Sequence, residues 1–426
     1  MRFRSLFAAI IFGWIAFASI PAWAQHQEIP EKPELWRGKQ QVQPDTTSLL
    51  HAFKAGTTHG HFRYFLMATD NATGYRDYHA HALGGGIKFE TARYHGFQFG
   101  ISGFFVFNAG SSNLAEPDPK SGQMNRYELG LFDVTNPENK TDIDRLEELY
   151  IKYSTQRISV TAGRQLVNTP FINLQDGRMR PTEAGGVWMD WHPNTKTRIE
   201  GGWLYEISPR STVRWYSVAK SIGVYQQGVN PDGTRSNYGN NLHSAGVGMV
   251  GLTRQINREL SVKAWHVMAE NIFHSSLLQA DWKLPVTPTR SWVLGAQAIR
   301  QWAIGHGGHG DPQKTYFKRG AVSQTFGFRG GMEAKRWNLT LNYNRITDQG
   351  RYLMPREWGR DPFFTFLPRE RSDGLSNVDI LALKSGCNIP VVRLKFTAGY
   401  AIANLPDVKD AARNKYGLPS YRQLNL

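Results

Sequence analysis

The chain is expected to fold as an all-β protein, a transmembrane antiparallel β-barrel. Three observations predict this. Apolar and polar residues alternate with a period of two along most of the length. The alternating segments run to about 10 to 13 residues, the length a tilted strand needs to cross a membrane, where a soluble sandwich uses strands of about 5 to 6. Long and short connections between the segments alternate. No fixed repeat period marks a solenoid.

The elements follow from the N-terminus. Arg2 and Arg4, an apolar run from Leu6 to Ile20 and the small-residue site Ala22-Trp23-Ala24 read as a secretory signal, so residues 1–24 are expected to be removed. Residues 25–60 form a short periplasmic segment, too brief for a plug domain, and residues 61–426 form the barrel. No later stretch approaches the uninterrupted apolar length of a helical span. Cys387 is the one cysteine, so no internal disulfide is available.

In "GFQFGISGFFVFN" (96–108), Phe97, Phe99, Ile101, Gly103, Phe105 and Phe107 share one side of an extended chain. Gln98, Gly100, Ser102 and Asn108 take the other, with Phe104 and Val106 as exceptions. Mean hydropathy is only −0.46, so a polar chain carries oily faces, and lipid is what they are expected to touch. The same rhythm recurs in "TRIEGGWLYEI", "LLQADWKL", "FGFRGGMEAK", "WNLTLNYN" and "VVRLKFTAGYA". Backbone polar groups must all be paired in hydrocarbon, which requires the sheet to close. Trp203, Tyr205, Trp282, Trp292, Trp302 and Trp337, near strand ends, suit the interfacial girdles.

Tight turns are expected at "HPNTKT", "RQINRE", "PVTPT", "KR" and "SGCNIP". Long connections alternate with them, the very short one at 271–273 excepted. One rim then faces the cell exterior and the other the periplasm. The tally is about 15 complete strands plus an opening at "SYRQLNL", so the chain is expected to stop inside its sixteenth strand.

Lys and Arg number 50 against 35 Asp and Glu, a net charge of +15 that attracts anions. Nucleic acid is excluded as a partner by export and by the lack of a basic helix or zinc-ligand spacing. Strand parity puts Lys152, Arg198, Lys283, Arg329, Arg393 and Lys395 on the polar, lumen-lining side, with Glu148, Glu200, Asp281 and Glu333 among their acidic partners.

"RYFLMATDN", "KFETARYHGFQFGISGFF", "LEELYIKYS" with "GRQLVNTPFINLQDGRMRPTEAGGVWM", and "MPREWGRDPFFTF" together resemble the OprD family of substrate-selective outer-membrane porins. The resemblance covers nearly all of the mature chain. It implies an 18-stranded barrel in an outer membrane, through which small solutes, commonly carboxylates or amino acids, diffuse passively. It also implies a basic row along one lumen wall and an inward-folded third outer loop. That loop falls at about Gln165 to Gly186 and carries Asp176, Arg178 and Arg180 at the constriction. A second contributor at about Gly350 to Gly374 carries Arg356, Glu357 and Arg360, together with Arg369 and Arg371.

No cofactor, metal site or catalytic group is expected. His306 and His309 in "HGGHG" lack a third ligand nearby. His274 and Ser276 share a lipid-facing parity, the arrangement a lipid-cleaving barrel would use, but no orienting acid or amide can be assigned to them. An adhesin or receptor barrel with little permeation is the alternative reading, and a lipase the third. Expected partners are small anionic or zwitterionic solutes and outer-membrane lipid. Both a monomer and a trimer remain open.

Overall fold

The computed structural model describes residues 45–125, 127–139, 141, 143–175 and 177–426. The expected leader, most of the 25–60 segment and Asp176 lie outside the described residues.

A short helix α1 (Leu49–Lys54), capped by the Ser48 hydroxyl, leads into one antiparallel sheet. Its first half comprises β1 (Thr57–Thr69), β2 (Tyr78–Glu90), β3 (Phe97–Ser111), β4 (Arg145–Ser154), β5 (Ile158–Gln165), β6 (Glu183–Asn194), β7 (Thr197–Ser208) and the two-residue β8 (Tyr216–Ser217). A single helical turn α2 (Val218–Ser221) follows. The second half comprises β9 (Val247–Gln255), β10 (Leu260–Ala269), β11 (Phe273–Thr287), β12 (Arg290–Ala303), β13 (Val322–Ala334), β14 (Trp337–Ile346), β15 (Val378–Ile389), β16 (Leu394–Asn404) and β17 (Tyr421–Asn425).

Each strand pairs with the next in sequence, except that β8 only edges β7 and β7 pairs directly with β9. Of the 17 strands among the described residues, 16 therefore form the wall. Among the described residues no ladder joins β17 to β1, so the sheet is open at that seam. Among the described residues no helix is long and apolar enough to cross a membrane; the strands are the crossing elements.

Side chains alternate across the wall as the pleat demands. Phe62, Tyr64, Leu66, Phe97, Ile101, Phe105 and Phe107 are exposed on its outer surface, and Leu149, Val250, Leu278, Phe328, Leu341 and Leu383 continue that surface around the sheet. An apolar exterior of this extent is stable only against hydrocarbon. Trp203, Tyr205, Trp292 and Trp337 are exposed on the same face.

Phe104 and Val106, the two exceptions in the opening strand, are fully buried on the inner side. They pack with Leu129, Leu131, Phe132 and Met179, which belong to long connections folded inside the wall. Burying an aromatic or aliphatic side chain contributes roughly 1.5 to 3 kcal/mol, so these inward apolar residues hold the connections against the strands. A second, larger cluster does the same beneath β7 and β9 to β15.

The connections sort by parity. At one rim lie 91–96, 155–157, 195–196, 256–259, 288–289, 335–336 and 390–393. At the other lie 70–77, 112–144, 166–182, 209–246, 304–321, 347–377 and 405–420, with 270–272 the short exception, turned by Asn271 at φ 61°.

One expected turn is displaced. The "SGCNIP" segment stays in the ladder as far as Ile389, which pairs with Leu394. Pro390 has no N–H to offer the ladder, so pairing stops there. Arg393, expected on the lumen wall, instead occupies the turn at φ 53° and is exposed. Lys395 is one step inside that rim, opposite Asn388.

Candidate pore constriction

The connection 166–182 is held by its own apolar residues and by a buried amide. Phe171, Ile172 and Leu174 are buried, and the Thr169 hydroxyl accepts from the backbone N–H groups of Phe171 and Ile172. Asn173, also buried, locks this connection to 347–377. Its N–H donates to Trp358 O at 2.9 Å, its Nδ2 donates to Arg360 O at 3.0 Å, and its Oδ1 accepts from Arg360 N at 3.0 Å. The side chain reproduces a short strand ladder between two loops.

Arg180 does not line an opening, as the sequence suggests; it is 0% exposed. Its Nη1 donates to Ile143 O at 2.9 Å, and it shares a buried cluster with the Arg145–Glu147 ion pair (2.8 Å) and Glu183. Burial first, and then the Arg145 charge, pull the Arg180 guanidinium down to about 9, against the pull of Glu147. The group anchors its loop to the β4 wall.

A β-bulge supplies the second carboxylate of that wall. Ile101 pairs with Leu149 and Gly103 with Leu146, so Ser102 faces both Glu147 and Glu148 and both point inward. Glu148 pairs with Lys88 at 3.0 Å and accepts from Ser102 Oγ at 3.2 Å.

Glu357 is likewise an anchor. Its Oε1 accepts from the N–H groups of Gly223 and Tyr225 at 2.9 and 2.8 Å, and Trp358 Nε1 donates to Ser221 Oγ at 3.0 Å. All three bonds tie 347–377 to the connection 209–246. Burial raises the Glu357 carboxyl, and the two backbone donors oppose the shift.

What these anchors hold in place is a group of arginines from three connections. Arg178 lies across Gly130, where a Cβ would push its guanidinium aside, and its Nη1 donates to Ser211 Oγ at 3.1 Å. Arg210 comes from 209–246, and Arg356 and Arg371 from 347–377. Arg356 stands over the Tyr416 ring at 4.9 Å, and Arg371 donates to Gly359 O at 2.5 Å. They feel one another. Burial and then the Arg178 charge hold Arg210 at about 9, with Arg356 adding to the effect. Burial also lowers Arg371 to about 10, opposed by Asp361 and reinforced by Arg210 and Arg356. Burial lowers Arg178, and Arg371 adds to it. Arg356 is the exception: burial is outweighed by Tyr416 and by the carboxylates of Asp373, Glu357 and Glu370, and its guanidinium is raised. Arg178, Arg210 and Arg371 are thus cations buried near one another, each lowered first by burial and further by a neighbouring guanidinium.

A family model described as outer membrane porin, OprD family, matches residues 131–359, the stretch that holds most of this arrangement. The chain belongs to the OprD family of outer membrane porins. Its fold is that of solved members. OccAB3 of Acinetobacter baumannii superposes with TM-score 0.64 over 82% of this chain and 83% of that one, at 15% identity. OccD3 (OpdP) of Pseudomonas aeruginosa gives 0.60 over 85% and 75%, at 12% identity. OpdK of Pseudomonas aeruginosa, solved with vanillate, gives 0.61 over 82% of each chain, at 12% identity. No curated protein sequence matches the chain.

The expected basic wall of this porin is only partly free. Arg198 pairs with Asp190 (2.9 Å) and Glu200 (2.7 Å), Arg329 with Asp281 (2.8 Å) and Lys283 with Glu333 (2.9 Å). Lys152 is half-buried on the inner face of β4 and makes no hydrogen bond among the described residues. Arg360 stands over the Phe366 ring at 5.7 Å. His309 stacks on His243, and no group of three potential metal ligands occurs among the described residues.

Sequence reasoning missed Lys88, Arg210, Asn173 and the anchoring use of Arg180 and Glu357. Lys88 could have been found from its parity in β2. The others sit in connections, where no period reports which side chains turn inward.

Proposed function

We propose that this porin admits small anionic or zwitterionic solutes by passive, substrate-selective diffusion, and that Arg178, Arg210, Arg356 and Arg371 form its selective constriction. The observation that carries this reading is the convergence, from three interlocked connections, of Arg178, Arg210 and Arg371, each lowered by a neighbouring guanidinium, with Arg356 beside them. Arg360 and the Asp176 position belong to the same loops.

Low-dielectric walls focus the field of such a group, and a carboxylate that enters relieves the repulsion among the cations. Arg suits this task because two parallel N–H donors match a carboxylate. Binding must stay weak for flux, and the wall supplies further weak sites: Lys152, with the paired Arg198, Lys283 and Arg329 offering exchangeable contacts. Carboxylates beside those cations would orient the ammonium end of a zwitterion. The neighbour solved with vanillate, an aromatic carboxylate, is in keeping with this solute class.

The test is single-channel recording of the purified chain in planar bilayers. Benzoate, vanillate, glutamate and a neutral disaccharide are added in turn. Carboxylates are expected to interrupt the current, and the disaccharide is not. One guanidinium about 6 Å from a carboxylate is worth roughly 1 kcal/mol at an effective dielectric near 50, so Arg178→Gln is expected to weaken the block about fivefold. Block that is indifferent to charge, or unchanged in both Arg178→Gln and Arg371→Gln, would overturn the assignment.

A further inference from the structure

On the outer surface of the wall, four polar side chains line up across four strands. The ladders place His266 (β10) opposite Ser276 (β11), Ser276 opposite Arg300 (β12), and Arg300 opposite Gln324 (β13). The same parity carries Leu278 and Phe326, both exposed, so this row faces the bilayer. It lies near the long-connection rim, a few residues from the 270–272 turn.

The row is built. His266 Nδ1 is 2.8 Å from Ser276 Oγ and His266 Nε2 is 2.9 Å from His274 Nδ1. His274 stacks on Trp302 at 5.1 Å. These contacts fix the imidazoles and satisfy one another. Arg300 is exposed and forms no hydrogen bond or ion pair among the described residues. Deeper in the membrane the row opens into a groove of about 590 Å³. The small side chains of Ala264 and Ala298 form part of its lining, and Val250, Leu278 and Phe326 rise beside them.

We propose that this face binds one phosphate-bearing lipid of the outer leaflet, its phosphate on Arg300 beside Gln324 and Ser276, and an acyl chain in the groove below. Charge complementarity selects the occupant. An uncompensated guanidinium on a lipid-facing wall needs an anion at headgroup depth, and a lipid phosphate supplies both the anion and the chain that fills an apolar groove. A second copy of the chain would bring the same unpaired Arg300, a like charge against a like charge. Both ring nitrogens of His266 are taken by Ser276 and His274; with His266 Nδ1–H donating to Ser276 Oγ, the Ser276 O–H is left to donate to a phosphate oxygen.

The test is native mass spectrometry of the full chain in detergent, titrated with lipid A and with its dephosphorylated form. Wild type is expected to retain one lipid A and to discriminate against the phosphate-free form. Arg300→Gln should reduce retention about tenfold or more, and Ala298→Trp, which fills the groove, should reduce it as well. Arg290→Gln, on the same strand and face at the opposite rim, should not. Equal retention of both lipids, or equal loss in Arg300→Gln and Arg290→Gln, would overturn the proposal. So would a change of oligomeric state without lipid in Arg300→Gln, or fatty-acid release abolished by Ser276→Ala, which would make the row an interface or a hydrolase instead.

Discussion

Replacing Asn173 by Ala isolates the contact between the two connections of the constriction. The change removes two side-chain hydrogen bonds, to Arg360 O and from Arg360 N, each 3.0 Å long, and keeps the backbone bond to Trp358 O. Arg360 then loses the Asn173 partners of its N–H and carbonyl in a half-buried position. Each such loss costs about 1 to 3 kcal/mol when water cannot enter. The lumen is wet, so the low end applies, about 2 kcal/mol for the pair. That shifts the docked-to-undocked ratio of 347–377 roughly thirtyfold. The wall is untouched, since Asn173 belongs to no strand. Single-channel recording is therefore expected to show an assembled, conducting porin with added open-channel noise and excursions to higher conductance. Carboxylate block should weaken in step with the excursions. A trace indistinguishable from wild type in noise, conductance and block would refute the claim that Asn173 holds the constriction.

Gly130→Ala places a methyl group where the Arg178 guanidinium lies, so it should reduce anion selectivity as Arg178→Gln does, with barrel stability within about 1 kcal/mol of wild type; reversal potentials in a salt gradient measure it. Leu341→Lys puts a charge on the lipid face in mid-strand, paired with Gly330 and Leu383, and should cost about 2 to 4 kcal/mol in reversible unfolding from lipid vesicles. Lys415 is buried beneath the rings of Tyr238, Tyr316 and Tyr416, and that burial lowers its ammonium from 10.5 to about 8. The unfolded chain thus binds the extra proton between about pH 8 and 10.5, so this group makes stability rise with pH across that window. Its penalty is present in full below pH 8. Lys415→Met should remove that part of the slope, as read by thermal melts at pH 7 to 10.

How much of this was legible follows from what periodicity reports. A strand that faces lipid on one side writes its orientation into every second residue, so Phe97, Ile101 and Phe105 were readable, as was the parity of the connections. Phe104 and Val106 broke the pattern because loops return to cover them, a tertiary event with no local signature. Arg178 and Arg180 are two residues apart in one loop, yet one lies among the arginines of the proposed constriction and the other is sealed against Glu147. Nothing in the segment separates them, because the difference comes from β4, where a bulge turns two consecutive glutamates inward. Arg393 was misplaced because the alternation runs on past Cys387, and only the missing N–H of Pro390 ends it.

The interlocking of the long connections through Asn173, Glu357 and Trp358 bears on how new solute preferences can arise. A segment transplanted alone from a relative would arrive without the carbonyls and amides its neighbours await, and would sag or jam. Altered selectivity is easier to reach through side chains that the finished lattice leaves partly exposed, such as Arg178 or Arg356, than through changes in loop length. Lineages that do exchange a whole connection would have to exchange two or three together.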